Sequence, residues 1–191
     1  MARDAALSVL VILAMPRRHR HASGDADPRG IIGALLGAVA LAVACGASAA
    51  EGTARGTVTY QAKSGLLTAM PKHAFLVKGP DAVDSSRMIR RLVFSTNDLG
   101  ARIVSCKTMS CADAELGEGM TVDLDAGRRL NYWVVFNDQK IQYSGTAEPA
   151  ALKLTTDAPG RLAGKLVVDD SAAGGARVDI EFDTPLIKEF R

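Results

Sequence analysis

Val178-Asp179-Ile180-Glu181-Phe182-Asp183 alternates apolar and acidic residues without a fault. Side chains switch faces at every residue of a strand, so this run reads as a strand with one face in a core and one in water. Met120-Thr121-Val122-Asp123-Leu124-Asp125 repeats the pattern. The reading places Val122, Ile180 and Phe182 in the core and Asp123, Asp179 and Glu181 in solvent. Between these runs lies Leu130-Asn131-Tyr132-Trp133-Val134-Val135-Phe136, apolar on both faces. A strand of that kind belongs in the middle of a sheet, with Leu130, Tyr132 and Val134 buried. Asn137-Asp138 then turns the chain into Lys140-Ile141-Gln142-Tyr143-Ser144, which predicts a hairpin.

Working outward, residues 57–61, 72–77, 92–96, 152–155 and 162–168 have the same short, strand-like patterning. Gly79-Pro80-Asp81, Asn97-Asp98-Leu99-Gly100, Asp157-Ala158-Pro159-Gly160 and Gly174-Gly175 punctuate them. Residues 85–91 are expected to hold a short helical turn, and residues 102–105 a short extended or helical piece. No stretch has the 3.6-residue period of a long amphipathic helix. Eight or nine short strands predict an all-β fold: an antiparallel β-sandwich of immunoglobulin-like type, with a small β-barrel as the alternative because nothing in the sequence fixes closure.

The first 50 residues have a different character. Residues 30–44 form an uncharged apolar run, about 15 residues long and too short to span ~30 Å of hydrocarbon. Arg17, Arg18, Arg20 and Arg29 precede it, and Gly46-Ala47-Ser48-Ala49-Ala50 follows. Basic, apolar and small-residue stretches in that order make a secretory signal peptide, with cleavage expected after Ala49 or Ala50. Met15 competes with Met1 as the start, because Met15-Pro16-Arg17-Arg18 is a conventional basic beginning. Leu41-Ala42-Val43-Ala44-Cys45-Gly46 resembles a bacterial lipoprotein box, which would lipidate Cys45; the family prefers leucine where Ala42 stands. Residues 51–191 are then one domain, periplasmic or secreted, or an outer-membrane lipoprotein if Cys45 is lipidated.

Removing the targeting segment changes the meaning of the charge. Of 23 Lys+Arg and 21 Asp+Glu, five Arg and three Asp lie in residues 1–50, leaving 18 of each. A neutral domain is a poor binder of nucleic acid, where affinity rests on neutralising phosphates. His73 is the one histidine left, so no site needing two can form within one chain.

Lys72-His73-Ala74-Phe75-Leu76, Ala163-Gly164-Lys165-Leu166, and residues 178–182 with Pro185-Leu186 resemble a layout of uncharacterised exported β-sandwich proteins of proteobacteria. That resemblance implies a secreted β-sandwich and no activity, so it carries over no functional residue.

The most specific local chemistry is Cys106-Lys107-Thr108-Met109-Ser110-Cys111. An extended strand would hold these cysteines about 16 Å apart, whereas a disulfide needs Cα atoms within ~7 Å. A bond between Cys106 and Cys111 therefore requires the segment to curl, and oxidising surroundings favour it. The expectation is an exposed, disulfide-closed turn. The alternative is a soft-metal site for Cu(I) with Cys106, Met109 and Cys111 as sulfur ligands; a redox switch is a third reading. His73 would share a face with Phe75 and Val77; as a general base it would need Ser64, Ser85 or Ser86, and no nucleophile-elbow motif accompanies them. The carboxylates Asp113, Glu115 and Glu118, Asp123 and Asp125, Asp169 and Asp170, and Asp179, Glu181 and Asp183 follow no calcium loop and read as solvated faces. Arg87, Arg90 and Arg91 read as a solvated basic edge. Trp133, Tyr132, Phe136 and Tyr143 gather aromatics into one hairpin, either as core or as a binding surface.

These readings converge on a non-enzymatic binding or structural module of the cell envelope, without a cofactor. The alternative is a periplasmic copper-handling protein using the sulfur loop. The expected partner is an envelope protein or a small ligand, with membrane contact only through a lipidated Cys45.

Overall fold

The structure is a computed structural model that describes residues 52–191. The targeting segment, with Met1, Met15, Cys45, Ala49 and Ala50, lies outside the described residues. Among the described residues no helix is long and apolar enough to cross a membrane.

Ten strands account for most of the fold: β1 (Thr53–Ala62), β2 (Gly65–Ala69), β3 (His73–Pro80), β4 (Met88–Ser95), β5 (Gly119–Asp123), β6 (Leu130–Phe136), β7 (Ile141–Ala147), β8 (Leu152–Ala158), β9 (Arg161–Asp169) and β10 (Ala176–Glu189). Two six-residue helices, α1 (Gly100–Ser105) and α2 (Met109–Ala114), sit between β4 and β5. The all-β, mostly antiparallel class is as expected. The strands form one open sheet in the order β7-β6-β5-β4-β3-β1-β10-β9-β8, with β2 paired to β1.

That sheet is strongly curled. In a flat sheet the five spacings from β7 to β1 would put these strands roughly 24 Å apart. Yet the rings of Tyr60 on β1 and Tyr143 on β7 lie 5.2 Å apart. Phe94 on β4 likewise meets Phe182 on β10 edge-on at 5.3 Å. The concave face thus closes over one core, which Leu76, Leu92, Phe94, Val122, Tyr132, Val134, Ile180 and Phe182 help to fill. Polar bridges tie the two halves as well. Arg90 on β4 donates to Asp157 on β8 at 2.6 Å, and the Tyr132 hydroxyl donates to Asp170 after β9.

Strand β10 links both halves. Residues 176–183 pair antiparallel with β1 on one side and β9 on the other. Beyond Pro185 the strand runs parallel to β3, Leu186 opposite Leu76. At the crossing, the buried Thr184 hydroxyl donates to the Ala74 carbonyl at 2.9 Å.

A second core lies on the convex face. Phe75, Val77, Ile89 and Val93 point away from the first core, and Leu99, Ile103, Cys106, Met109, Ala112 and Leu116 of the helical segment cover them. Strands β3, β4 and β5 are therefore buried on both faces, whereas β1 and β8 alternate between core and solvent.

The sequence readings fare unevenly against this structure. Val122, Leu130, Tyr132, Val134, Ile180 and Phe182 are all buried, and Asp179 and Glu181 are exposed. Asp123 is the correction: it is only 3% exposed, because the Arg91 guanidinium of the neighbouring strand covers its carboxylate. The helical turn expected at residues 85–91 is also overturned, since β4 begins at Met88. Residues 102–105 are helical. Strand β6 lies next to the edge, not at the middle, with Trp133 partly exposed on its convex side. Strand β2 was not foreseen.

Candidate functional site

The helical layer and the strands it covers leave an open cleft of about 430 Å³ beside them. Its floor is the convex side of β5 and β6, where Thr121, Asp123, Asn131, Trp133 and Val135 project together. Helix α2 supplies one wall through Ser110 and Asp113, and the turn after β6 supplies another through Gln139. Asp81, in the turn after β3, lines the far side.

Arg91 organises the floor. It lies opposite Asp123 in the β4–β5 pairing, and both side chains leave the sheet on the convex face. The Arg91 Nε and Nη2 groups donate to the two oxygens of Asp123, Nη2 at 2.9 Å. Nη1 donates to Asp113 Oδ2 on α2 at 2.6 Å. Such a bidentate, charge-assisted fork fixes geometry as well as charge. Burial opposes the Arg91 charge, yet the hydrogen bonds and charges of Asp123 and Asp113 hold its pKa above the ordinary value. For Asp113 burial pushes the carboxyl upward, and the nearby Asp123 charge adds to this; Arg91 pulls the other way without cancelling it. Its Oδ1 is buried without a hydrogen-bond partner among the described residues. The Arg91 guanidinium carbon also stands 5.7 Å from the centre of the Trp133 ring, within cation–π range.

Two local devices set the walls. Thr108 caps α2 by accepting the Cys111 backbone N–H at 3.2 Å, satisfying one of the first-turn donors. Cys106 and Cys111 stand at disulfide distance, with Cα atoms 5.6 Å apart. Lys107, Thr108 and Ser110 between them are exposed, as expected of such a turn, but Met109 is buried in the convex core, its sulfur so close to β3 that a Cβ at Gly79 would sit 2.4 Å from it. With the sulfurs joined and Met109 packed away, this loop offers a metal ion no free thiolate. Replacing both cysteines with serine is expected to lower stability by about 2 kcal/mol in urea melts, the loop-closure value for so short a ring. A loss above 4 kcal/mol would show that the bond holds more than this loop.

The opposite wall is a strained turn. Asn137, Asp138 and Gln139 all have positive φ, at 50°, 53° and 64°. Asn and Asp tolerate this left-handed region and glutamine does so at a cost. Contacts with α2 and the adjoining turn hold the conformation: Gln139 donates its side-chain amide to the carbonyls of Asp113 and Ala114, at 3.3 and 2.9 Å, and its backbone N–H to Gly117.

Several sequence readings are corrected here. Of Arg87, Arg90 and Arg91, read as a solvated basic edge, only Arg87 is exposed. Arg91 is 6% exposed, Arg90 lies on the other face between Asp125 and Asp157, and Arg87 pairs with Asp84 and the Ala126 carbonyl. Of the carboxylates read as solvated, Asp123 is buried and Asp113 half-buried against Arg91, whereas Asp125, Asp179 and Glu181 are exposed, paired with Arg90 and Lys165. The aromatic hairpin divides: Tyr132 and Phe136 are core, and Trp133 faces the cleft. His73 stacks on Phe75 at 6.3 Å, and no hydrogen bond joins it to Ser64, Ser85 or Ser86 among the described residues. No family model, curated protein or solved structure matches the chain.

Proposed function

We propose that the chain is an exported cell-envelope module that acts by binding, and that the cleft over Arg91 and Trp133 is where it binds. The observation that carries this reading is the pairing of a buried, rigid ion network with a 40% exposed indole in one concavity. Ligand sites are mostly apolar concavities with a few fixed polar groups that orient the guest, and Arg91, Asp123 and Asp113 are fixed in that sense. The envelope location rests on the apolar run and small residues ahead of position 51. The resemblance to exported proteobacterial proteins adds the same expectation.

Trp133 is the single tryptophan of the chain, so fluorescence excited selectively at tryptophan reports on this cleft. The test uses full-length chain made in an exporting host. Intact mass is expected to show a start at Ala50 or Glu51, or at a lipidated Cys45. A panel of small molecules and peptides is then screened for compounds that both move the Trp133 emission and raise the melting temperature, as any ligand of the native state must. A retained N-terminus would remove the export reading. Ligands that raise the melting temperature without touching Trp133 would move the binding site elsewhere.

A further inference from the structure

Resting on the reading of this cleft as a binding site, we propose that its ligand carries an ammonium group on an aliphatic stem, a free amine or the side chain of a lysine. The lining holds three carboxylates, Asp81, Asp113 and Asp123, and one cation, Arg91. Buried or half-buried charges are stable when paired, and here the one cation is already committed: three of its N–H groups go to Asp123 and Asp113. An anionic guest would meet an acid-rich wall with little donor capacity left.

The remaining groups mostly accept hydrogen bonds. Asp113 Oδ1 has no partner among the described residues. Asp81 is 7% exposed, and its carboxylate accepts only the Val83 N–H, without a salt bridge among the described residues. The Gln139 and Gln142 amides donate to backbone carbonyls, which leaves their oxygens free to accept. Thr121 points to a guest independently of the charges. It is 5% exposed, lines the cleft, and its hydroxyl has no hydrogen bond among the described residues. The residue is otherwise enclosed, so its hydroxyl opens on the cleft and is placed to bond what enters.

A metal ion fits less well than an ammonium. Among the described residues no three His, Cys, Asp or Glu side chains come together closely enough to hold one ion. Asp113 and Asp123 flank one guanidinium and Asp81 belongs to a different turn of the lining, and an extended guest can reach separated acceptors. Its methylene stem would lie on the exposed Trp133 indole, and the ring quadrupole adds attraction for a cation.

The test titrates the exported chain with cadaverine, with a Gly-Lys-Gly peptide, and with the neutral and anionic counterparts 1-pentanol and glutarate, reading Trp133 emission. Saturable shifts with cadaverine or the peptide, and none with the other two, are expected; whichever binds more tightly names the source of the ammonium. Asp113→Asn should weaken that binding at least about tenfold, the loss of one charge-assisted hydrogen bond. Asp81→Asn, which can still cap Val83, is the second variant should Asp113→Asn fail to fold. Equal response to 1-pentanol, preference for glutarate, or unchanged affinity in both variants would overturn the ammonium proposal and leave the cleft as a site for other chemistry. No response to any of the four would count against the cleft as a binding site at all.

Discussion

Arg91→Leu is expected to cost the domain about 3–5 kcal/mol, the range for removing one partner of a buried ion pair. Both oxygens of Asp123 accept from Arg91, and Asp123 is 3% exposed. Without the guanidinium, that carboxylate keeps its burial and loses its compensation. Asp113 loses its own bond and is left half-exposed. The double variant Arg91→Leu with Asp123→Leu separates the origin of the loss. Because a buried pair repays its desolvation only partly, two apolar side chains in its place should restore most of the stability. Urea melts of the three proteins make the comparison. A loss below 1 kcal/mol for Arg91→Leu would mean that water reaches Asp123, and would remove the rigid floor from the candidate site.

Phe182→Ala should be comparably damaging, at about 3–5 kcal/mol. Its side chain is 6% exposed and packs edge-on against Phe94, which is fully buried on the facing half of the sheet. Truncation opens a cavity where the two halves of the curled sheet meet, and neighbouring strands held by pairing on both sides have little room to collapse into it. Glu181→Ala, one residue away on the solvated face, should change stability by less than about 0.5 kcal/mol. Equal effects at the two positions would mean that the β10 register is shifted by one residue, since such a slip exchanges the faces.

The contrast between Phe182 and Asp123 shows how far the sequence could be read. At β10 alternation was enough, because one face meets core and the other meets water. At β5 the same alternation misled, because on the second face Arg91 covers Asp123 and is itself anchored to Asp113 in the layer of α1 and α2. Those helices are six residues each, too short to display a helical period or to be stable alone, so the layer that holds Arg91 over Asp123 left no readable trace. A weaker signal was present in Leu92-Val93-Phe94. An unbroken apolar run indicates a strand buried on both faces, and a charged residue within or opposite such a run should have a buried partner. The partner itself was hidden. Arg91 and Asp123 are 32 residues apart and meet only through the β4–β5 register. The cysteine pair was legible because its geometry is local. The burial of Met109 was not, since it depends on the surface of β3.

The placement of β10 has a consequence for how the chain can acquire its structure. The first strand of the sheet lies against the last, and that last strand also supplies a neighbour to β9 and β3. Until β10 leaves the ribosome, β1, β3 and β9 each expose an unsatisfied edge, and the concave core lacks Ile180 and Phe182. Contacts between the ends of a chain are the slowest to form, because loop closure must precede any return from them. A growing or partly translocated chain therefore has no stable intermediate that already contains the complete core. Completion of the fold therefore waits on β10, whatever stage of synthesis has then been reached.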